Sequence, residues 1–198
     1  SGNGNNGTLG IGTQAPTYSS ANFGSIVFDG NDLISIPHSS SISFPTALTI
    51  SIWFYSGTVG LGAHLYLKGR TDIDNYNPLI YNTGRYAWTG ANGRAMYTSP
   101  VNYIQQNTWY NLTVSHTSGS TPNIYKNSVL STLHTFTEGT GSHALGTNTN
   151  PVGINADIVR GIVGDFTGRI PLIQAYNRAL TAAEVSQNFN ALRGRYSI

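Results

Sequence analysis

The sequence predicts an all-β domain closed by one short helix at its C-terminal end. Three observations carry that prediction. Short apolar or alternating segments recur along the chain, separated by Gly, Asn, Asp and Ser, the residues that turns demand. Charged residues make up only 9% of the chain against 39% hydrophobic, so it packs a core rather than staying disordered. Only one stretch, beginning at Thr181, carries a marked helix start.

Taken in order, residues 1–24 are polar and turn-rich and read as a wrapping arm. Ser25-Ile26-Val27-Phe28 and Leu33-Ile34-Ser35-Ile36 flank Asp29-Gly30-Asn31-Asp32 and read as a β-hairpin. Residues 49–55 alternate, which puts Ile50, Ile52 and Phe54 on one face. Residues 64–68 read as one strand, and short aromatic strands follow around Leu79-Ile80-Tyr81, Arg85-Tyr86-Ala87-Trp88 and Ala95-Met96-Tyr97. Residues 109–116 alternate most clearly. Trp109, Asn111, Thr113 and Ser115 face one way, and Tyr110, Leu112, Val114 and His116 the other. Two further segments flank an Asn127-Ser128 hairpin turn, and residues 137–150 read as a loop. The last strand covers residues 170–176, and its Pro171 suits an edge or a strand start. Strands of this length and spacing build a sandwich or a barrel.

The helix follows directly. Thr181 is placed as N-cap, and Glu184 three residues on completes a capping box. Leu180 and Val185 are spaced for a hydrophobic staple, Val185, Phe189 and Leu192 recur at helical spacing, and Gly194 suits the stop.

Composition narrows the function. With 198 residues the chain holds one sizeable core and is expected to form one domain. Net charge is +2, and Arg193 with Arg195 is the only close basic pair near a terminus, so no nucleic-acid partner is expected. No apolar run approaches the roughly 18 residues a bilayer span requires, so no membrane insertion is expected. The absence of cysteine excludes disulfides, thiol catalysis and Cys-based zinc sites. Low charge with abundant Asn, Thr, Ser and Gly accompanies extracellular and virion proteins. The tract from Ser1 to Gly7 is polar and unlike a signal peptide, and a chain opening at Ser1 is expected to be a mature product or part of something longer.

The order of these segments resembles the laminin-G-like, concanavalin A-like jelly roll. The residues that carry the resemblance are Ser25-Ile26-Val27-Phe28-Asp29-Gly30 with Ile36-Pro37, Leu48-Thr49-Ile50-Ser51-Ile52-Trp53, Asn107-Thr108-Trp109-Tyr110-Asn111-Leu112, and Ile124-Tyr125-Lys126-Asn127. Phe166-Thr167-Gly168-Arg169-Ile170 and Tyr176-Asn177-Arg178-Ala179-Leu180-Thr181-Ala182-Ala183-Glu184 complete the set. The resemblance implies a two-sheet antiparallel jelly-roll sandwich over residues 25–198, with residues 1–24 as an N-terminal arm that continues an upstream segment. The Tyr176 to Thr181 stretch looks like domains of bacteriophage structural proteins, notably of marine phages, and of bacterial surface proteins. Two departures stand out. Pro171 replaces an acidic residue frequent in the family, which counts against a family calcium site, and Asn127-Ser128 replaces the usual Asn-Gly turn.

The polar and aromatic residues carry the candidate chemistry. The glycosidases of related folds need two carboxylates flanking the scissile bond. The chain has six Asp and two Glu, with Glu184 used in capping and Glu138 alone in a loop, so no catalytic residue is assigned. Asp29 and Asp32 share one turn and are the candidate calcium ligands, against the preferred reading that they serve the turn itself. Beyond that calcium no cofactor is expected. The five histidines show no metal-ligand spacing. Aromatics crowd residues 76–97 with Asn and Arg between them, and Tyr76, Tyr81, Arg85, Tyr86 and Trp88 are the candidate carbohydrate-binding residues. The competing reading makes alternate members core, with Trp88 inside and Tyr86 at the surface.

The function expected is that of a non-catalytic virion structural protein, a capsid decoration or fibre domain at the virion surface. Its partners would be other virion proteins or further copies of itself, with host surface glycans as possible ligands. The alternative is a carbohydrate-binding module of a secreted or cell-surface bacterial protein.

Overall fold

The computed structural model describes residues 3–21, 24–58, 62–70, 73–81, 84–89, 96–132, 135–138 and 144–198. For residues 70, 73–77, 79, 81, 96, 97 and 135–138 it describes the backbone only. In chain order the strands are β1 (Thr8–Leu9), β2 (Thr17–Ser19), β3 (Ser25–Asp29), β4 (Ile34–Ile36), β5 (Ala47–Thr58), β6 (Ala63–His64), β7 (Leu67–Arg70), β8 (Ile73–Tyr81) and β9 (Arg85–Thr89). They continue with β10 (Met96–Thr98), β11 (Thr108–Thr117), β12 (Asn123–Lys126), β13 (Val129–Leu130), β14 (Thr135–Glu138), β15 (Val152–Ile154), β16 (Ala156–Asp157), β17 (Ile162–Val163) and β18 (Thr167–Tyr176). One helix, α1 (Ala182–Leu192), follows.

Two antiparallel sheets hold nearly all of these strands. One runs β13-β12-β11-β5-β18-β3-β2, the other β1-β4-β15-β7-β8-β9-β10-β14 with β6 also on β8. A small β16-β17 ladder stands apart. The alternation of β5 and β11 has the predicted result. Ile50, Ile52, Phe54, Leu112 and Val114 are buried and face Tyr86, Trp88, Val152 and Ile154 of the opposite sheet in one core. This is the two-sheet sandwich the sequence implied, and burying each such side chain contributes on the order of 2 kcal/mol. Segments of the arm are stitched to its rims, β1 pairing with β4 and β2 with β3.

Part of the outer face of β5 and β11, which alternation alone would leave to solvent, is covered too. Helix α1 starts on the predicted capping box, with Thr181 accepting from the Glu184 amide and Glu184 from the Thr181 amide. Leu180 and Val185 pack together with Tyr125. Phe189 stacks on Trp53 at 5.4 Å, and Tyr196 closes on the same indole at 4.7 Å. Polar residues beneath are paired rather than solvated. Thr49 Oγ1 donates to the Arg178 carbonyl, Ser115 Oγ to the Leu180 carbonyl, and Asn111 Nδ2 to Ser51 Oγ.

Four local expectations are corrected. Residues 25–36 are not a hairpin, because β3 and β4 lie in different sheets. The Asp29 amide donates to Asp32 Oδ2 at 2.7 Å and the Asn31 amide to Asp29 Oδ1, so carboxylates replace the ladder while the chain crosses the core. Residues 64–68 are two strands. The Leu65 amide donates to the Pro78 carbonyl, but Pro78 has no N–H to return, and the pairing with β8 breaks there. Pro171 lies inside a central strand. It sits at a register slip between Arg169 and Leu172, where the pairing of β18 with β3 also ends, so its missing donor breaks no ladder. Gly194 does not end the helix with a left-handed turn. The chain continues into a tight 3-10 turn over Arg193–Arg195, and the positive φ, +57°, falls on Ser197, after Tyr196 has docked.

Candidate ligand-binding surface

The predicted aromatic platform divides differently from the expectation. Tyr86 and Trp88 are two apart on β9 and therefore share a face. That face is the core: Tyr86 is 0% and Trp88 1% exposed. Trp88 stands edge-on to His116 at 5.9 Å. The core reading of Trp88 holds, the surface reading of Tyr86 does not, and neither can stack on a sugar. Arg85 is half-buried at the start of the same strand. Tyr76 and Tyr81 lie on β8, Tyr76 in register with Lys68 and Tyr81 with Arg85, and their side chains are outside the described residues.

The candidate calcium ligands are engaged by their own turn. Gly30, at φ +106°, makes the bend between them. Asp32 is buried, and burial raises its pKa; the Asp29 amide bonded to it works against that rise, and the neighbouring Asp29 charge adds to it. Both carboxylates are occupied in closing this turn, Asp32 by the Asp29 amide and Asp29 by the Asn31 amide. Among the described residues no three His, Cys, Asp or Glu side chains gather at metal-binding distance.

Aromatic rings beside a guanidinium and an amide also occur on the outer face of the other sheet. Phe54 and Tyr110 point into the core, so their neighbours Tyr55 and Trp109 point out, and the register pairs Trp109 with Tyr55 and Tyr55 with Arg169. Trp109, Tyr55 and Arg169 thus form a row across three adjacent strands, each half-buried. The two rings stand 5.4 Å apart at 58°, an angled pair rather than a flat shelf. Asn107, exposed and at φ +56°, accepts from the Tyr55 hydroxyl at 3.3 Å. Tyr196 bounds the row, its ring 4.8 Å from Trp109. Gly168 makes the arrangement possible. At φ +143°, any Cβ there would collide with the Tyr55 carbonyl, so only glycine lets β18 lie close enough to set Arg169 beside that ring. Aromatic faces next to a guanidinium and an amide present apolar surface and fixed donors together, which is what a sugar ring with its C–H face and hydroxyl edge requires.

An apolar groove of about 450 Å³ opens between the sheets, lined mainly by Ile26, Ile34, Ile36, Ile42, Ile170 and Leu172. It is the unclosed flank of the sandwich and brings few polar groups to a ligand. The row of Trp109, Tyr55 and Arg169 was not singled out from the sequence. The usable signal was the 109–116 alternation, which already set Trp109 opposite the core residues.

Solved structures share this fold. The binding domain of Paraclostridial Mosquitocidal Protein 1 superposes with a TM-score of 0.70 at 16% identity, covering 95% of this chain and 48% of that one. The ligand-binding domain of botulinum neurotoxin serotype D, in complex with N-acetylneuraminic acid, gives 0.67 at 12% identity, with 95% and 47% covered. Domain 4 of AbnA, an extracellular arabinanase of Geobacillus stearothermophilus, in complex with arabinotriose, gives 0.62 at 15% identity, with 91% and 86% covered. The chain spans about half the length of the toxin domains it matches. A search of curated proteins finds none that matches it significantly. A family profile matches residues 28–186, the sandwich from Phe28 to the first turns of α1, and on that match the chain belongs to a laminin-G family of the concanavalin A-like lectin/glucanases superfamily.

Proposed function

We propose that the chain is a non-catalytic, lectin-like domain that binds glycans on the row formed by Trp109, Tyr55 and Arg169. The observation that carries this reading is the row itself: two aromatic rings, a guanidinium and an amide held in register on an open part of a sheet. Structures of the same fold that hold arabinotriose or N-acetylneuraminic acid support it. The test is a glycan array followed by calorimetric titration of the best binder. Tyr55→Ala and Arg169→Ala should each weaken binding several-fold, since one aromatic contact is worth about 0.5–1.5 kcal/mol beyond area burial, while the melting temperature stays nearly unchanged. Undiminished binding in both variants would remove the row as the site. Silence across the array would remove the lectin reading.

The virion surface is proposed as the address, on the resemblance carried by the Tyr176 to Thr181 stretch, with other virion proteins or further copies of the chain as partners. Mass spectrometry of purified particles should find the chain there. Its absence from particles would leave the secreted or cell-surface module. No helix among the described residues is long and apolar enough to cross a membrane.

A further inference from the structure

Lys68 is a cation on the core side of the sandwich. Lys68 of β7 pairs in register with Val152, a core residue, and its side chain therefore runs along the interior. It is 0% exposed. A buried ammonium is costly unless it is paired. Yet no carboxylate among the described residues lies at ion-pair distance from it. Its hydrogen bonds go to neutral groups instead. Nζ donates to His38 Nδ1 at 2.8 Å and to the Asn150 carbonyl. An ammonium carries three donors, so one remains without an acceptor among the described residues.

The surroundings say what such a cation is placed for. By accepting from Lys68 at Nδ1, His38 keeps its proton on Nε2, and that N–H is the donor left for a ligand. His38 is exposed and forms part of the wall of a cleft of about 240 Å³, with Ser40, Ser43, Thr147, Asn148 and Thr149 as the rest. Those five bring four hydroxyls and an amide to a space somewhat smaller than the 300–1,000 Å³ of ordinary small-molecule sites. The lining suits one polyhydroxylated ring. Burial and the Lys68 charge both lower the His38 pKa, in keeping with a neutral imidazole above a charged lysine.

We propose that this cleft binds an acidic saccharide, with the carboxylate of the sugar against His38 Nε2–H and the Lys68 ammonium beneath supplying the countercharge. Ser40, Ser43, Thr147 and Thr149 take the hydroxyl groups. The site rests on the cleft alone, which is walled by segments around residues 38–43 and 147–149 and shares no residue with the aromatic row, so its failure leaves the row untouched.

The experiment titrates D-glucuronate, D-glucose and inorganic sulfate separately into the whole chain and follows the His38 ring resonances by NMR. Glucuronate should bind with saturable shifts at His38, and at least about tenfold more tightly than glucose, the increment expected of a charge-assisted hydrogen bond. Lys68→Met, which keeps the buried stem, should weaken glucuronate by a similar factor, and Tyr55→Ala should leave it unchanged. Glucose binding as tightly as glucuronate, sulfate shifting His38 where glucuronate does not, or full affinity in Lys68→Met would each overturn the proposal. Should Lys68→Met fail to fold, the glucuronate-to-glucose ratio of the unmodified chain decides alone.

Discussion

Two aromatic groups in this molecule are nearly identical in composition and opposite in role. Tyr86 and Trp88 sit on β9, flanked by Arg85; Tyr55 and Trp109 sit on β5 and β11, flanked by Arg169. The first pair is sealed in the core, and the second is half-open on the outer face of the seven-stranded sheet. What separates them is which layer lies over each face. β9 turns Tyr86 and Trp88 toward the other sheet, while the C-terminal segment covers Trp53 and reaches only the near side of Trp109. A side chain's chemistry states what it could bind, and the neighbouring layer decides whether anything can reach it.

The largest effect expected from this comparison is at Trp88. Trp88→Ala should cost about 3–5 kcal/mol, read from denaturant melts, through cavity formation in the core and with no selective loss of glycan binding. A small loss of stability would place Trp88 outside the core and undo the contrast. Tyr55→Ala is the matched control, with its effect on binding rather than on the melt.

The next effect concerns Lys68, a charged member of the core face. Burial brings the Lys68 pKa down to about 8 in the fold, from an ordinary value of 10.5. Between those values the unfolded chain holds more protons than the folded one, so stability should rise with pH across that window. At about 1.4 kcal/mol per unit the rise is up to about 3 kcal/mol, and less to the extent that solvent in the cleft screens the ammonium. Urea midpoints measured at about pH 7.5 and about pH 10 check this. Lys68→Met should flatten that rise, and an unchanged slope in the variant would assign it to other groups.

The smallest effect lies at a turn. Asn127 and Ser128 have φ +50° and +64°, both positive as a type I′ hairpin turn demands, and Asn127 Oδ1 accepts from the Asn111 amide. Asn tolerates that conformation and Ser does so only with strain. Ser128→Gly should therefore stabilise the domain, by about 1 kcal/mol, seen as a small rise in melting temperature with binding unaltered at both proposed sites. A fall would mean that the Ser128 side chain stabilises the turn more than its backbone strains it.

Much of the fold was legible because its signals are local. The faces of β5 and β11 follow from a period of two, and α1 follows from a cap and a staple within six residues, Leu180 to Val185. The misreadings share one feature. Residues 25–36 show strand, turn and strand, but nothing in them says that the second strand joins the other sheet. Residues 64–68 look continuous, and the break comes from Pro78, a residue of the partner strand. The candidate site depends on the same kind of long-range pairing. Residues 76–97 cluster in sequence, but which face Tyr86 and Trp88 take follows from the sheet lying over β9, and the row of Tyr55, Trp109 and Arg169 is drawn from three strands distant in the chain.

By itself, then, the sequence determined the strand-rich class, the inward faces of the two long strands, the capped C-terminal helix and the lack of any cysteine chemistry. Each depends on residues a few positions apart, whose spacing sets direction through the pleat of a strand or the pitch of a helix. The tertiary structure alone decided that Tyr86 is core, that Trp109, Tyr55 and Arg169 line up in one row, that Pro171 lies inside a sheet, and that Lys68 runs through the interior to meet His38. Those outcomes depend on which strand pairs with which and on what covers each face, and such contacts join residues too far apart in sequence for any local pattern to record them.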